Sequence, residues 1–538
     1  ELIKSAQPLP NSLGSGDYIY LPIVNQGASF DIVVPEGAEW VEVIIRPFAG
    51  AKLEHRGAIR VEVLNPGIGV VIPTYRGEAH IGRCLKALAA QTLSRDLFEI
   101  IIVLNGEPDG SLAIIEAFTA EHPDLSVTLI ELSGSGASRA RNAGVDQLSR
   151  AYGCLLDDDD TLAPATLEAM LDAAAPHRMV LTPMVDVKGA EMIRDSVINL
   201  QVLAQSGEKE GQITYREVTS ALSTNAGKCV PTAWLAANRF DETLGSGEDV
   251  VFWAKLLMYY RPDIAVVTQN KTGQPVAYQR YLRDDSLSRR DETFEFMVEE
   301  RLDVVARLDD LAGDLPEEQR GFLYSKIRAQ AMFVVRYLQT HPQRRTDVMR
   351  EARLRNIDFP VQGFINGRLT DDLFISFCFP PFVDTAAVVV AKRISKMAQP
   401  IDVISNAMYR TRDIDTRLLK LAEDHVGELN MLDAPESFGN WSAMATFADA
   451  AVATVEQRER RLGQYRRVFT RVLWPAANFA AAVLKARRPE LFWSAEFSDP
   501  ERKDVHGVDR PGDIDMEWLA STGVLDAMRH SGLPIPDT

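Results

Sequence analysis

Apolar runs alternate with helically spaced segments between residues 67 and 156. The runs at 69–72 and 98–104 have the nearly continuous hydrophobicity of strands that are buried on both faces of a sheet. Strands are predicted at 69–72, 98–104, 125–132 and 154–156. The intervening segments repeat apolar residues every three or four positions, as amphipathic helices do. These helices are predicted at 78–91, 111–122 and 137–152. The alternation predicts an open parallel α/β sheet.

Other patterns divide the rest of the chain. Residues 1–65 hold short β-branched runs separated by Gly, Pro and Asn, which predicts a small all-β module. The module is either a packing appendage or a surface for carbohydrate or oligomer contact. Residues 66–290 are predicted to form the first α/β domain. Residues 291–371 are predicted to form a helical connector, because 291–357 are rich in Glu, Arg, Leu and Ala at helical spacing. In residues 372–538, strand and helix patterns alternate again, which predicts a second, Rossmann-like α/β unit. Its helices are expected at 385–397 and 469–486, and its strands at 374–377, 401–405 and 490–496.

Charge and cysteine content narrow the class of protein. The 538 residues carry a net charge of −18, which argues against a nucleic-acid partner, since such proteins present a basic face. An anionic substrate would therefore need local arginines or a metal ion. The four cysteines form no CxxC pair, so zinc fingers and a disulfide framework are not expected. No signal peptide and no apolar run of about 18 residues is visible.

Four consecutive aspartates, residues 157–160, follow the predicted strand at 154–156. Like charges side by side repel, and we expect folding to need none of them. Carboxylates are hard oxygen ligands that suit Mg²⁺ or Mn²⁺, which bind through one or two carboxylates plus substrate phosphates. The alternative is that Asp160 caps the next helix. Capping accounts for one aspartate and leaves three, so the cluster predicts a metal site.

A second acidic pair, Glu248 and Asp249, opens a stretch with helical spacing. Helix N-termini favour anions, so the pair could serve as a cap. Alternatively, a carboxylate at this place could act as a general base that deprotonates an attacking hydroxyl. The sequence pattern alone leaves both interpretations open.

Five segments in order make residues 67–290 resemble the family 2 glycosyltransferases, which have the GT-A fold. These segments are 70–75, 101–110, 140–144, 156–160 and 247–252. The resemblance implies nucleotide-sugar binding by a set of residues along the strand ends. That set is Pro73, Thr74, Tyr75, Asn105, Arg141, Asp157 and Asp158. Asn105 stands where relatives usually carry an Asp that reads the base, which leaves the base open.

The resemblance also assigns the chemistry. Asp157 to Asp159 occupy the position of the DxD motif, so Asp159, with Asp157, would bind Mn²⁺ or Mg²⁺. Asp249, beside Glu248, would be the general base, and attack opposite the diphosphate would invert the anomeric centre. Some relatives add a metal-binding His downstream. Here no His lies between His177 and His341, so water or phosphate would complete the coordination.

The segment 278–290 resembles the one that closes the GT-A domain in relatives. It is expected to hold phosphate or an anionic acceptor, unless it is a solvated basic loop. The candidate residues are Arg280, Arg283, Ser286 and Ser288.

The C-terminal unit has a looser resemblance, to the N-terminal lobe of GT-B glycosyltransferases. It is carried by 377–385, 402–406 and 493–500. The second GT-B lobe, which binds most of the nucleotide, does not follow residue 538. Either the sequence is part of a longer protein or this unit is a scaffold, and we assign it no catalytic residues.

The predicted function is an inverting, metal-dependent glycosyltransferase. It would move a sugar from a nucleotide donor, expected to be UDP-linked, to a hydroxyl of a growing cell-surface glycan. The resemblance implies a cytoplasmic enzyme that meets a glycan or lipid-linked acceptor at the inner membrane face, with homo-oligomer formation left open. One alternative is a nucleotidyltransferase, although the expected Gly-rich loop with Lys is missing after the first strand. The other is a non-catalytic glycan-binding or assembly protein.

Overall fold

The computed structural model describes most of the chain after residue 63. The described ranges are 64–189, 191–206, 212–282, 292–313, 315–437, 440–472, 474–497 and 515–533. The predicted all-β module, at 1–65, lies almost wholly outside them. The described chain forms two compact units. Their ranges are Glu1–Asp291 with Asp310–Lys326, and Glu292–Asp309 with Ile327–Thr538.

The first unit is a mixed α/β domain. Its strands are β1 (Asn65–Thr74), β2 (Phe98–Asn105), β3 (Ser126–Leu132), β4 (Arg150–Leu155), β5 (Thr161–Leu162), β6 (Arg178–Leu181), β7 (Met184–Lys188), β8 (Glu191–Ile193), β9 (Lys228–Pro231), β10 (Asp263–Val266) and β11 (Tyr278–Tyr281). Its helices are α1 (Ile81–Ala89), α2 (Ser111–Glu121), α3 (Ala137–Val145), α4 (Thr166–Ala173), α5 (Val197–Leu203), α6 (Thr232–Ala237) and α7 (Glu248–Tyr260).

Seven of these strands form one sheet in the order β10-β6-β9-β4-β1-β2-β3. The part predicted from the sequence, β4-β1-β2-β3, is parallel throughout. Strand β9 is antiparallel to both β4 and β6, so the sheet as a whole is mixed. A second sheet has the order β5-β11-β7-β8. Strands β1 and β2 are buried along most of their length, as expected for strands covered on both faces.

The core explains why these segments form these elements. Strand β1 and helix α1 contribute side chains that are fully buried, among them Ile72, Ile81, Leu85 and Leu88. Their spacing in α1 of three and four residues places one apolar stripe against the sheet. Two neighbouring boundary predictions were wrong: the helix predicted over 137–152 ends at Val145, and the strand predicted at 154–156 begins already at Arg150, because the chain re-enters the sheet there as β4.

The second unit begins with helices and continues as a Rossmann-like sheet. Its helices are α8 (Glu300–Asp310), α9 (Glu317–Thr340, which begins in the range of the first unit), α10 (Arg345–Leu354), α11 (Val361–Leu369), α12 (Thr385–Met397), α13 (Trp441–Leu462), α14 (Ala476–Arg487), α15 (Met516–Ser521) and α16 (Val524–His530). Its strands are β12 (Asp372–Ile375), β13 (Ile401–Asn406), β14 (Val426–Leu432), β15 (Arg467–Val472) and β16 (Phe492–Phe497).

All neighbouring strands in the sheet of the second unit are parallel, in the order β14-β13-β12-β15-β16. That order reverses between β12 and β15, as in doubly wound folds, so the Rossmann-like prediction is confirmed. The prediction of one helix over 469–486 was wrong, because 469–472 belong to β15 and α14 starts only at Ala476. In the part of the chain that the structure describes, no helix is long and apolar enough to cross a bilayer.

Candidate functional site

Three strand ends of the first unit meet at one edge of the sheet. The side-chain amide of Asn105, at the end of β2, donates to the carbonyl oxygen of Thr74 at the end of β1, at 2.9 Å. The backbone N–H of Tyr75 donates to Asp158 Oδ2, beyond β4, at 3.3 Å. The segments that the sequence predicted to share a strand-end crevice are therefore in contact.

Arg141 joins the acidic loop to the start of helix α7. Its guanidinium donates to Glu248 Oε1 at 2.8 Å and to Asp157 Oδ1 at 3.3 Å. The Arg141 side chain is only 9% exposed, whereas that of Asp157 is 40% exposed. Burial opposes the positive charge, but Asp157, Glu248 and Asp249 together outweigh burial and raise the pKa of Arg141. The Arg141 guanidinium thus connects the acidic loop to the acidic pair at the start of α7.

Asp249 lies in the first turn of α7, directly after Gly247 and Glu248. Gly247 has φ of +74°, a left-handed conformation that glycine adopts without strain, and it lets the chain turn into the helix. Burial, reinforced by the Glu248 carboxylate, raises the pKa of Asp249 to about 7, against the opposing pull of Arg141 and Lys228. A carboxyl group with a pKa near neutral can take a proton from a hydroxyl at working pH.

Asp160 has a structural role that the sequence did not indicate. Its carboxylate accepts from the Tyr278 hydroxyl at 2.7 Å and from the Tyr281 backbone N–H at 2.8 Å, so it links the acidic loop to β11. Burial, together with Asp157 and Asp159, raises the pKa of Asp160 to about 8. The expectation that folding needs none of the four aspartates was therefore wrong. Asp160 also does not cap the next helix, since the residue before α4 is Ala165.

The predicted nucleotide-binding residues line the end of β1 and the loop after β2. Pro73 is half-buried, Thr74 is buried, and the Tyr75 side chain is exposed. Tyr75 lies against Gly106, where an added Cβ would come within 2.5 Å of the ring. Asn105 is buried, and its Oδ1 accepts from the Gly136 backbone N–H at 3.0 Å. Asn105 thus supports the loops, and base contact by it stays a prediction.

The segment after β11 is only partly described. Arg280 forms a two-pronged ion pair with the buried Asp186, with distances of 2.8 Å from Nε and 2.9 Å from Nη2. The Arg280 guanidinium is therefore already bound to a carboxylate, and to hold phosphate it would have to leave this ion pair. Arg283, Ser286 and Ser288 lie outside the described residues, so their roles stay predictions.

The acidic loop has the donor chemistry for one divalent cation. Asp157 faces Arg141, Asp158 accepts from Tyr75, and Asp159 is half-exposed beside them. Within the described ranges, no three His, Cys, Asp or Glu side chains group as a complete set of metal ligands. The carboxylates of this loop are hard oxygen donors that fit an ion such as Mn²⁺ or Mg²⁺, which takes one or two carboxylates and completes its shell from substrate phosphate and water.

Sequence reasoning missed two side chains that hold the acidic loop. Arg83, on α1, donates to the backbone carbonyl of Asp159 and stacks over the Tyr281 ring at 3.6 Å. The Tyr278 hydroxyl accepts from the Asp157 N–H at 3.3 Å while it donates to Asp160. Arg83 lies in the first turn of α1, between the apolar positions Ile81 and Cys84, and nothing in the local sequence pointed to its contact with the Asp159 carbonyl.

Part of the first unit is similar to known glycosyltransferases. Residues 69–228 match the family model for glycosyl transferase family 2. Glycosyltransferase AglE of Haloferax volcanii is 36% identical over 94 residues, which is 18% of this chain and 31% of the relative. The poly(ribitol-phosphate) beta-N-acetylglucosaminyltransferase TarS of Staphylococcus aureus is 29% identical over 194 residues, 35% of this chain and 31% of the relative. The chain thus spans about a third of each of these relatives.

Solved structures are more distant. The structure of S. aureus TarS 1–349 in complex with UDP-GlcNAc has a TM-score of 0.40 and 21% identity, covering 55% of this chain and 90% of that one. The mannosyltransferase PcManGT of Pyrobaculum calidifontis, in complex with GDP-Man and Mn²⁺, has a TM-score of 0.36 and 16% identity, covering 54% and 78%. The part of the first unit that contains Arg141 and the acidic loop is therefore similar to glycosyl transferase family 2.

Proposed function

We propose that this protein is an inverting, metal-dependent glycosyltransferase that uses a nucleotide-sugar donor. The observation that carries the proposal is the Arg141 bridge. It connects Asp157, in the acidic loop, to Glu248 at the start of the helix that carries Asp249. A site for the diphosphate and a candidate base are thereby held next to each other. The match to family 2 over 69–228 supports this assignment.

In the proposed reaction, Asp249 takes the proton of an acceptor hydroxyl as that oxygen attacks the anomeric carbon. Its raised pKa, about 7, suits a base that must hold a proton briefly near neutral pH. Attack from the face opposite the diphosphate breaks the glycosidic bond to the nucleotide and inverts the anomeric centre. Glu248 stays ion-paired with Arg141 and orients the first turn of α7.

Asp159, with Asp157, would hold the Mn²⁺ or Mg²⁺ ion. When bound, the ion supplies Lewis-acid neutralisation of the departing nucleoside diphosphate. Asp158 and Tyr75 are already joined by a hydrogen bond, so the same loop can position the ribose and base beside the exposed Tyr75 ring. With a net charge of −18 the chain needs local positive charge, from this ion or from arginines, to accept an anionic donor.

The donor and acceptor classes are suggested by the relatives. TarS is named as a transferase of N-acetylglucosamine to poly(ribitol-phosphate), and one of its structures contains UDP-GlcNAc. We therefore propose a UDP-sugar donor and a hydroxyl of a cell-surface glycan or polymer as acceptor. We place the reaction in the cytoplasm, peripheral to the inner membrane face. Cell fractionation tests this location. Recovery of the protein only on the outer side of the cytoplasmic membrane would contradict it.

The decisive experiment is a donor panel scored by nucleoside diphosphate release. UDP-linked sugars and GDP-mannose are compared with Mn²⁺, with Mg²⁺ and with EDTA. We expect release from at least one UDP-sugar that requires the metal and is stimulated by a polyol-phosphate or glycan acceptor. No release from any donor under any of these conditions would overturn the proposal.

Three variants separate the roles. Asp249→Asn should lower turnover by about 10² or more, the usual effect of losing a general base, and should leave UDP binding intact. Asp159→Ala should abolish the metal-dependent part of UDP binding. Asp172→Asn is the matched control, because Asp172 is a surface aspartate on α4 that pairs with Lys271. Full turnover by the Asp249 variant would show that the base is assigned wrongly.

A further inference from the structure

A lysine without a role in the proposed chemistry is buried behind helix α7. Lys228 is the first residue of β9 and is 1% exposed. Its ammonium group donates to the backbone carbonyls of Thr224 and Ala226, the latter at 3.3 Å. A buried lysine is costly, since burial disfavours its charged form. The two carbonyl contacts offset only a small part of that cost.

The Lys228 side chain packs against the helix that carries the candidate base. Its Nζ lies 5.0 Å from the centre of the Trp253 ring, within the range of a cation–π contact. Trp253 is four residues after Asp249 in α7, so the two lie one turn apart on the same side of the helix. The Trp253 indole N–H donates to Asn225 Oδ1 at 2.9 Å, which ties the 224–226 loop to α7.

The charges on these groups act on one another. The charge of Asp249 is influenced by Glu248 on its own helix, by Arg141 on α3 and by Lys228 on β9. The charge of Lys228 is influenced in turn by Asp249 and by a second buried amine, Lys326. Burial lowers the pKa of Lys228 to about 7, and Asp249 is the carboxylate that opposes this fall. Arg141 is already shared between Asp157 and Glu248, whereas Lys228 makes no such ion pair among the described residues.

We propose that Lys228 is a positioning residue for the reaction: its buried ammonium stabilises the ionised form of Asp249 and fixes the first turn of α7 through Trp253 and the 224–226 loop. The inference rests on the proposed function of Asp249 and extends it. The base of this enzyme would then be governed by two cations, Arg141 from the side of the acidic loop and Lys228 from within the core.

The first test is the pH profile of kcat/KM in the full chain, with wild type and Lys228→Met compared. Removing the ammonium should raise the pKa of Asp249. The rise of kcat/KM on the acid side of the profile should therefore move to higher pH by about one unit, the lower end of the effect that one nearby charge has on a pKa. We call this rise the acid limb. Turnover at pH 6 should fall about tenfold. Above pH 8, where Lys228 is itself neutral, the two enzymes should converge. A rate that is lowered equally at every pH would overturn the proposal.

Lys326→Met is the matched control, because Lys326 is also buried and also anchors this segment, through the Thr219 carbonyl and the Ser223 hydroxyl. Its loss removes the same kind of buried contact but leaves the Lys228–Asp249 interaction in place. We expect the acid limb of this variant not to move upward, because loss of Lys326 raises the pKa of Lys228 and keeps its ammonium charged. An equal upward shift in both variants would assign the effect to the segment and overturn the role of Lys228.

A second measurement needs no turnover. The loss in Tm at pH 7 caused by Lys228→Met is measured in wild type and in the Asp249→Asn background. If the two charges interact, the lysine substitution should cost less in that background. Equal losses would overturn the inference. Absence of all donor turnover in wild type would instead refute the proposed function, and the Tm comparison would still decide whether the two charges are coupled.

Discussion

Arg141 is the side chain whose loss should damage the site most, and Arg141→Met tests this. The substitution keeps a long apolar stem but leaves Glu248 and Asp157 without their cation. The Arg141–Glu248 pair is 9% and 18% exposed, so breaking it falls in the range of buried pairs, about 3–5 kcal/mol. Asp157 is 40% exposed and adds less than about 1 kcal/mol, because water screens its charge. We expect a loss of about 3 kcal/mol.

The loss should depend on pH, with a sign that follows from Asp249. The folded-state pKa of Asp249, about 7, lies above its ordinary value of 3.8. Its protonated form therefore stabilises the fold below about pH 4, and that contribution is lost as pH rises through 7. Without Arg141, which lowers this pKa, the folded-state value moves higher and more stability is lost at alkaline pH. The deficit of the variant should be larger at pH 8 than at pH 5.

The assay is urea unfolding of the full chain, with hydrogen exchange of the α7 amides to score the first unit separately. Arg139→Met is the matched control, since Arg139 lies on the same helix and donates to the carbonyls of Ser133 and Gly134 rather than to a carboxylate. The control should lose less than about 1 kcal/mol. A deficit in Arg141→Met no greater than this, or one that is equal at pH 5 and pH 8, would refute the electrostatic account of the bridge.

Three further outcomes follow from the site. Wild-type kcat/KM should rise with pH up to about 7, as Asp249 ionises, and this limb should disappear in whatever turnover remains in Asp249→Asn. Tyr278→Phe should lower the free energy of unfolding by about 1–3 kcal/mol, because it leaves the Asp160 carboxylate without its hydroxyl donor in a buried setting; urea unfolding measures this. Gly77→Ala should raise KM for the donor, because the added Cβ would come within 2.6 Å of Asp158 Oδ2; a steady-state titration that finds KM unchanged would contradict the proposed crowding at this turn.

The sequence predicted the parallel part of the first sheet and the elements that carry the site. Strands β1 and β2 have nearly continuous apolar runs, and α1 has one apolar stripe, so local periodicity was enough. It was not enough for β9, which contributes four residues and pairs antiparallel with β4 and β6. A strand so short is defined by the partners it meets across the chain, and its own spacing carries little information.

The sequence by itself determined which charged groups the chain carries: acidic residues after a buried strand, an acidic pair that opens a helix, and an arginine that precedes both in the chain. Only the tertiary structure decided how those charges are shared. In the folded chain Arg141 pairs with Glu248, 107 positions later, and Arg280 pairs with Asp186. Asp160 accepts hydrogen bonds from Tyr278 and Tyr281. The physical reason is that the state of a charge depends on its burial and on the partner within a few ångströms, and both are set by the packing of segments that lie far apart in the sequence.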